Sequence, residues 1–256
     1  MNLKTFLAML WRDAHVARRN FVPLAFQTLL QPMMFVFVFG RVMTTSGLMP
    51  PEYKSMLLPG IIGLSMVSIG IWAVAMPLVA EFQFTKEIED RLLAPMEMEW
   101  LAVEKIIAGM IQALIAGLVV IPTAWLVMGS GVKLSGDHVA LFTMMALLVA
   151  FLASALGLVL GCSVGQQHIG LMFSMVIAPM IFFGCTYYPW QALQKFPILK
   201  RAVLINPMVY ASEGFRGTLV PQFPHLSSAL IVGGLIFFDV LFVAFGLRQF
   251  RRKALT

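Results

Sequence analysis

The sequence predicts an all-α integral membrane protein, and three observations carry that prediction. Sixty per cent of the 256 residues are A, V, I, L, M, F, W, Y or C, and only 12% are charged. The mean hydropathy is +0.88. A soluble domain carries about twice that share of charge, so this composition excludes a soluble enzyme, a disordered chain and a nucleic-acid-binding domain. The net charge of +6 does not point to nucleic acid, because 8 of the 18 Lys and Arg lie in the first 20 and last 9 residues. Basic residues at such positions orient a chain in a membrane. Helices satisfy their own backbone hydrogen bonds, which hydrocarbon demands.

Residues 1–20 read as an interfacial helix. Leu3, Phe6, Leu7, Leu10, Ala14 and Ala17 recur at spacings of three and four, while Lys4, Arg12, His15, Arg18 and Arg19 take the remaining surface. A basic amphipathic helix of this kind lies in the headgroup plane. The stretch is too polar to be a signal peptide, and its basic residues follow the apolar ones.

Six spans are expected at about 21–42, 56–80, 106–128, 139–164, 169–187 and 228–247, each near the ~20 residues that cross the hydrocarbon. Pro32, Pro77, Pro122 and Pro179 fall inside four of them. Residues 43–55 and 129–138 are short polar connections, and 165–168 is a tight turn. Residues 81–105 form a long loop with seven Asp/Glu against Lys86, Arg91 and Lys105. Residues 188–227 contain five prolines. A seventh span at 202–220 would place Glu213 and Arg216 in lipid, which is costly. The segment is therefore expected to be a hairpin that dips into the outer leaflet and returns. Tyr187, Tyr188, Trp190 and Tyr210 suit that interface. The Lys/Arg distribution, 11 inside against 7 outside, puts both termini in the cytoplasm. The chain is then one domain over 1–256: interfacial helix, spans 1–5 over 21–187 with the loop 81–105, hairpin 188–227, and span 6 with the basic end over 228–256.

Cys162 and Cys185 fall at opposite faces in this topology, so no disulfide is expected. His15, His138, His168 and His225 are scattered and offer no metal-ligand spacing. In span 4, Ala153, Gly157, Gly161 and Gly165 repeat every four residues, a small-residue face for close helix packing.

Four groups of residues are candidates for function. In Thr85–Leu93, the apolar residues Phe84, Ile88 and Leu92 align at i, i+4, i+8, with Glu87, Asp90 and Arg91 on the remaining surface. Such a helix suits a protein groove that takes the stripe and pairs the charges. An anionic bilayer surface would repel its acids. Gln27 and Gln31 share one face beside Pro32. They either line a path or bind helices together. Asp239 lies mid-span in LIFFDVLFVAF. A carboxylate there faces a bundle interior or a water-filled path. It either contacts substrate, gates with a proton, or makes a structural hydrogen bond to a neighbouring span, and the last reading is preferred. The fourth group, Asn206, Pro207, Glu213 and Arg216 of the hairpin, is implied only by the family resemblance that follows.

Leu58-Pro59-Gly60 near the start of span 2, the run Glu87-Ile88-Glu89-Asp90-Arg91-Leu92-Leu93-Ala94-Pro95, and Asn206-Pro207-Met208 through Glu213-Gly214-Phe215-Arg216 occur in a fixed order. With the interfacial helix and the topology, they resemble the permease subunit of an ABC type-2 (ABC-2) exporter. The resemblance covers the whole chain. It implies a half-transporter in the bacterial inner membrane that moves an amphiphilic drug, lipid or lipid-linked glycan outward. It implies a second permease, identical or not, and separate ABC ATPase subunits that carry the ATP and Mg, with no cofactor on this chain. It makes Thr85–Leu93 the coupling helix and Asn206, Pro207, Glu213 and Arg216 the outer hairpin's signature. The sequence contains no G-x-x-x-x-G-K-[ST], the loop that cradles nucleotide phosphates. The alternative is a polytopic enzyme acting on lipid or prenyl substrates, for which Glu81, His168 and the acidic loop are the inner-side candidates. A secondary transporter would show internal repeats, and spans 1–3 do not resemble spans 4–6.

Overall fold

A computed structural model describes residues 6, 8–13, 15, 30, 32–83, 98–129 and 134–254. Among these the chain is all-helical. Helix α1 is Pro32–Thr45, α2 is Tyr53–Gln83, α3 is Met98–Met128 and α4 is Val139–Ser163. Helix α5 covers 169–182, built from Ile169–Met172, Phe173–Ile177 and Ala178–Phe182. Helix α6 is Pro197–Ala202, α7 is Pro207–Leu219 and α8 is Ser228–Ala254. Helices α2, α3, α4 and α8 are long and apolar enough to cross a membrane. At about 1.5 Å per residue, each exceeds the ~30 Å of hydrocarbon.

Helix α2 is the centre of the bundle. Leu57, Leu58, Ile61, Ile62, Leu64, Ile71 and Leu78 are fully enclosed, and α3, α4 and α7 pack around it. Small residues permit the close approach. Gly70 meets Ala153 and Ala113, Gly109 meets Val74 and Ser154, and Gly157 sits where a Cβ would lie 2.8 Å from the carbonyl oxygen of Ile71. Gly161 packs on Ala75. The small-residue face of α4 therefore packs on α2, as expected, but Gly165 lies beyond the helix end at Ser163 and takes no part.

These contacts set direction. Residues 70, 71 and 75 of α2 meet 153, 157 and 161 of α4, so those helices run parallel. Residues 109 and 117 of α3 meet 74 and 66 of α2, so α3 runs against them. Gly214 touches both Met145 and Ile231, while Gly246 touches Leu158, so α8 runs with α4. At one end of the bundle lie Asp13, Glu81, Lys105, Cys162 and the basic turn of α8. There Lys105 Nζ donates to Asp13, and Lys253 Nζ donates to Gly161 O at 3.3 Å and covers the Phe82 ring. At the other end Gly40 meets Met128, Tyr53 donates to Tyr187 O at 2.8 Å, and the 183–227 segment closes over the bundle. The described N-terminal residues and the last helix thus share one end, and Cys162 and Cys185 lie at opposite ends. Both thiols are buried, so an aqueous thiol reagent would not report sidedness from either.

The boundaries differ from the sequence expectation in three places. The loop 81–105 is narrower: α2 runs to Gln83 and α3 starts at Met98, because Leu101, Ala102 and Ile106 extend the buried stripe of α3. Glu81, Glu104 and Lys105 are helical and buried. Helix α5 ends at Phe182, five residues short of its expected end, in a turn where Cys185 adopts φ 53°. Its wide turn Phe173–Ile177 ends two residues before Pro179. Proline lacks the N–H that would bond Met175 O, and a wider turn relieves the ring's clash. Helix α8 continues to Ala254, well past the expected end of span 6 at 247.

A leucine at Gly157 would force α4 off α2. Gly157→Leu is expected to lose about 1–3 kcal/mol or more through overpacking, read as a lower unfolding temperature in nanodiscs. Gly233, with nothing within 4 Å of its Cβ position, is the control: Gly233→Leu should leave that temperature unchanged.

Candidate functional site

Among the described residues, side-chain hydrogen bonds concentrate in the 183–227 segment. Asn206 caps α7: its side-chain oxygen accepts from Met208 N at 3.0 Å, as N-cap residues do. Its amide nitrogen donates to Met180 O at 2.8 Å, fastening the start of α7 to the end of α5. Pro207 holds the first helical position, where its missing N–H matters least. Tyr210 donates to Leu204 O at 2.8 Å.

Glu213 and Arg216, one turn apart on α7, are fully buried and paired with each other. Glu213 Oε1 also accepts from Trp190 N at 3.0 Å, and its Oε2 accepts from Leu226 N at 2.8 Å. Arg216 Nη2 donates to Cys185 O at 3.0 Å. One ion pair therefore ties together the exit from α5, the descending arm at Trp190, and the entry to α8. A lone buried charge would be very unfavourable; pairing and backbone hydrogen bonds make this one tolerable.

The depth of α7 follows from its neighbours. Tyr210 lies on Gly234 and its ring is 5.9 Å from that of Phe238. At the other end Leu219 O accepts from Ser135 N at 2.8 Å, and Gly217 meets His225. Helix α7 thus starts level with Phe238, about ten residues or ~15 Å along α8, and climbs to the level of the α8 start.

Asp239 belongs to the buried stripe of α8 with Ile231, Leu235, Gly246 and Phe250. It is 4% exposed. Neither carboxylate oxygen has a hydrogen-bond partner among the described residues. The structural hydrogen bond preferred from sequence has no counterpart among the described residues.

At the opposite end, Lys105 Nζ donates to Asp13 Oδ2 at 2.6 Å and to Glu81 Oε1 at 2.8 Å. Arg12 lies 3.8 Å from Glu81. Glu104, beside them, is buried with both oxygens unpartnered among the described residues. This junction joins the N-terminal helix to α2 and α3. Sequence reading missed it by assigning 81–105 to a loop. The signal was present in the spacing of Leu101, Ala102 and Ile106, which carries the helix through Lys105.

Gln27, Gln31, Phe84, Glu87, Ile88, Asp90, Arg91 and Leu92 lie outside the described residues. Among the described residues no group of three or more His, Cys, Asp or Glu could hold a metal ion.

The family model for the ABC-2 type transporter matches residues 4–220. The chain belongs to the ABC-2 type transporter family. No curated protein matches it. The match runs from the N-terminal segment through α7, so it takes in the α1–α5 bundle and the Glu213–Arg216 pair. The chain is accordingly a transmembrane permease subunit of the ABC-2 type, a multi-pass membrane protein from a permease family.

Two outcomes are expected in the ABC-2 permease. Arg216→Ala would strand the Glu213 carboxylate and should cost about 3–5 kcal/mol, seen as loss of a monodisperse peak after solubilisation. Asp239→Leu removes a buried, unpartnered carboxylate and should raise the unfolding temperature by an amount equivalent to about 1–3 kcal/mol. A lower temperature would mean that Asp239 has a partner in the membrane.

Proposed function

We propose that this ABC-2 permease is the membrane half of an ATP-driven exporter that carries an amphiphilic substrate out of the cytoplasm or the inner leaflet. The carrying observation is the charged junction at the ends of α2 and α3. Lys105 bridges Glu81 and Asp13, so the two helices that emerge into 84–97 are held at fixed separation with the N-terminal helix. A short docking segment transmits force only when its two ends are anchored in this way. In this reading Phe84, Ile88 and Leu92 enter a cleft on an ABC ATPase subunit, and Glu87, Asp90 and Arg91 pair at its rim. ATP and Mg reside on that partner. Both termini lie in the cytoplasm of a bacterial cell, with the permease in the inner membrane.

A second permease completes the path. Helices α1 and α5 are only partly enclosed by the bundle, and Met34, Phe37, Met175 and Phe182 are exposed on them. Gln27 and Gln31 are the polar side chains that the path would offer, while Asp239 is enclosed within the bundle. The hairpin capped by Asn206 and Pro207 and held by Glu213 and Arg216 re-enters the outer leaflet and closes that path from outside.

Changing Ile88 and Leu92 together to Asp would put two carboxylates into the ATPase cleft. Desolvating an unpaired carboxylate costs several kcal/mol, enough to weaken a modest interface about a thousandfold. The double variant should reach the membrane and retain its permease partner, yet fail to co-purify ATPase. Reversal of Arg91 should do less, since rim charges mainly tune association. Full ATPase recovery with the double variant would remove 84–97 from the docking role. The chain purified alone should hydrolyse no ATP.

A further inference from the structure

The descending arm of the hairpin has an unusual surface. On either side of α6, Leu193 of the turn Trp190–Lys195 and Val203 of the turn Val203–Ile205 are buried with Val209 and Cys185. The opposite side is apolar as well: Ile198 is 85% exposed, Ile205 78% and Phe196 62%. Ile198, Ala202 and Ile205 follow one another at spacings of four and three, so they form one outward stripe. An arm that is apolar on both sides does not belong in water.

Its charges are of one sign. Lys195 and Arg201 are exposed beside the stripe, while Lys200 is held over the Trp190 ring at 4.1 Å. Between Asp137 and Glu213 the chain has no acidic residue. The arm also has a defined depth. It runs from Trp190, beside Glu213, down to Asn206 at the foot of α7, which stands level with the middle of α8.

We propose that this arm is an anionic-phospholipid binding element: Phe196, Ile198 and Ile205 lie among acyl chains, and Lys195 and Arg201 hold lipid phosphates. The inference rests on the outward-facing, re-entrant placement of the hairpin given above. Charge selects lipid over a second copy of the chain. A two-fold interface is built from the same patch on both sides, and would set Lys195 and Arg201 against their own copies with no acid to pair them. Lipid phosphate complements them, and basic residues at a membrane surface draw anionic lipid. The long Lys and Arg stems reach the headgroups while the apolar stripe stays in hydrocarbon.

The test uses the full chain with its two native cysteines replaced by Ala. Single cysteines at Ile198, Ile205 and, as reference, the exposed Phe237 of α8 carry an environment-sensitive fluorophore in nanodiscs of phosphatidylcholine and phosphatidylglycerol. Lipids spin-labelled at the headgroup or mid-chain should quench positions 198 and 205 at least twofold more than aqueous iodide does. Position 205 should favour the mid-chain label. Quenching of both positions by iodide alone, or by neither quencher, overturns the proposal: the first means water, the second a covering protein. Failure of the Phe237 reference as well would instead overturn the membrane placement beneath it. For the charges, Lys195→Gln with Arg201→Gln should lower the phosphatidylglycerol that co-purifies severalfold by mass spectrometry. Unchanged lipid content would remove the headgroup site while leaving the anchor.

Discussion

The carboxylate of Glu213 and the guanidinium of Arg216 sit where the hairpin, the end of α5 and the start of α8 converge. Everything at that end of the ABC-2 permease depends on their staying together. The backbone at Cys185, Trp190 and Leu226, in a turn and at two helix starts, would otherwise bring unpaired N–H and C=O groups into an apolar bundle, at the expense of about 1–3 kcal/mol each. The pair supplies acceptors for Trp190 N and Leu226 N and a donor for Cys185 O. It converts an irregular crossing into a closed unit, and that closure allows α7 to start deep beside Phe238 rather than float above the bundle.

A comparable device works at the other end with different chemistry. Lys105 is a single flexible cation between two acids from different elements, Asp13 and Glu81. Lysine has three rotatable donors and no fixed fork, so it can keep both partners through small changes in angle. Arg216 has a planar fork committed to one carboxylate and one carbonyl. The contrast between a rigid and an adaptable cation matches the two ends' roles as proposed: one seals, the other connects to a moving partner.

Much of the fold was legible because hydrocarbon leaves few choices. Helices α2, α3, α4 and α8 follow from long apolar runs, and the α4 face follows from its four-residue spacing of small residues. The legible part ended where burial is achieved by pairing rather than by apolarity. Glu213 and Arg216 count against a seventh span in the sequence, yet nothing local reveals that they are enclosed by protein and bonded to Trp190, Leu226 and Cys185. Those partners are distant in sequence. For Lys105 the apolar spacing of Leu101, Ala102 and Ile106 shows the helix locally, but not its acids, which lie 24 and 92 residues away. Asp239 was placed mid-helix, but its environment depends on which residues of α4 and α7 face it. Gln27, Gln31 and the stripe Phe84, Ile88 and Leu92 stand as sequence expectations.

The glycine contacts between α2 and α4 have a mechanical meaning. Where Gly157 lies against the carbonyl of Ile71 and Gly161 against Ala75, no side chain remains to act as a compliant spacer, and sliding one helix along the other would drive backbone into backbone. The two helices form a stiff beam, with α8 clamped to it near Gly246. Helix α5 differs: it is short, interrupted by a wide turn, and fastened at its C-terminal end through Met180 and, just beyond it, Tyr187. Under load the beam keeps its length and angle, and α5, hinged at one end, takes the deflection.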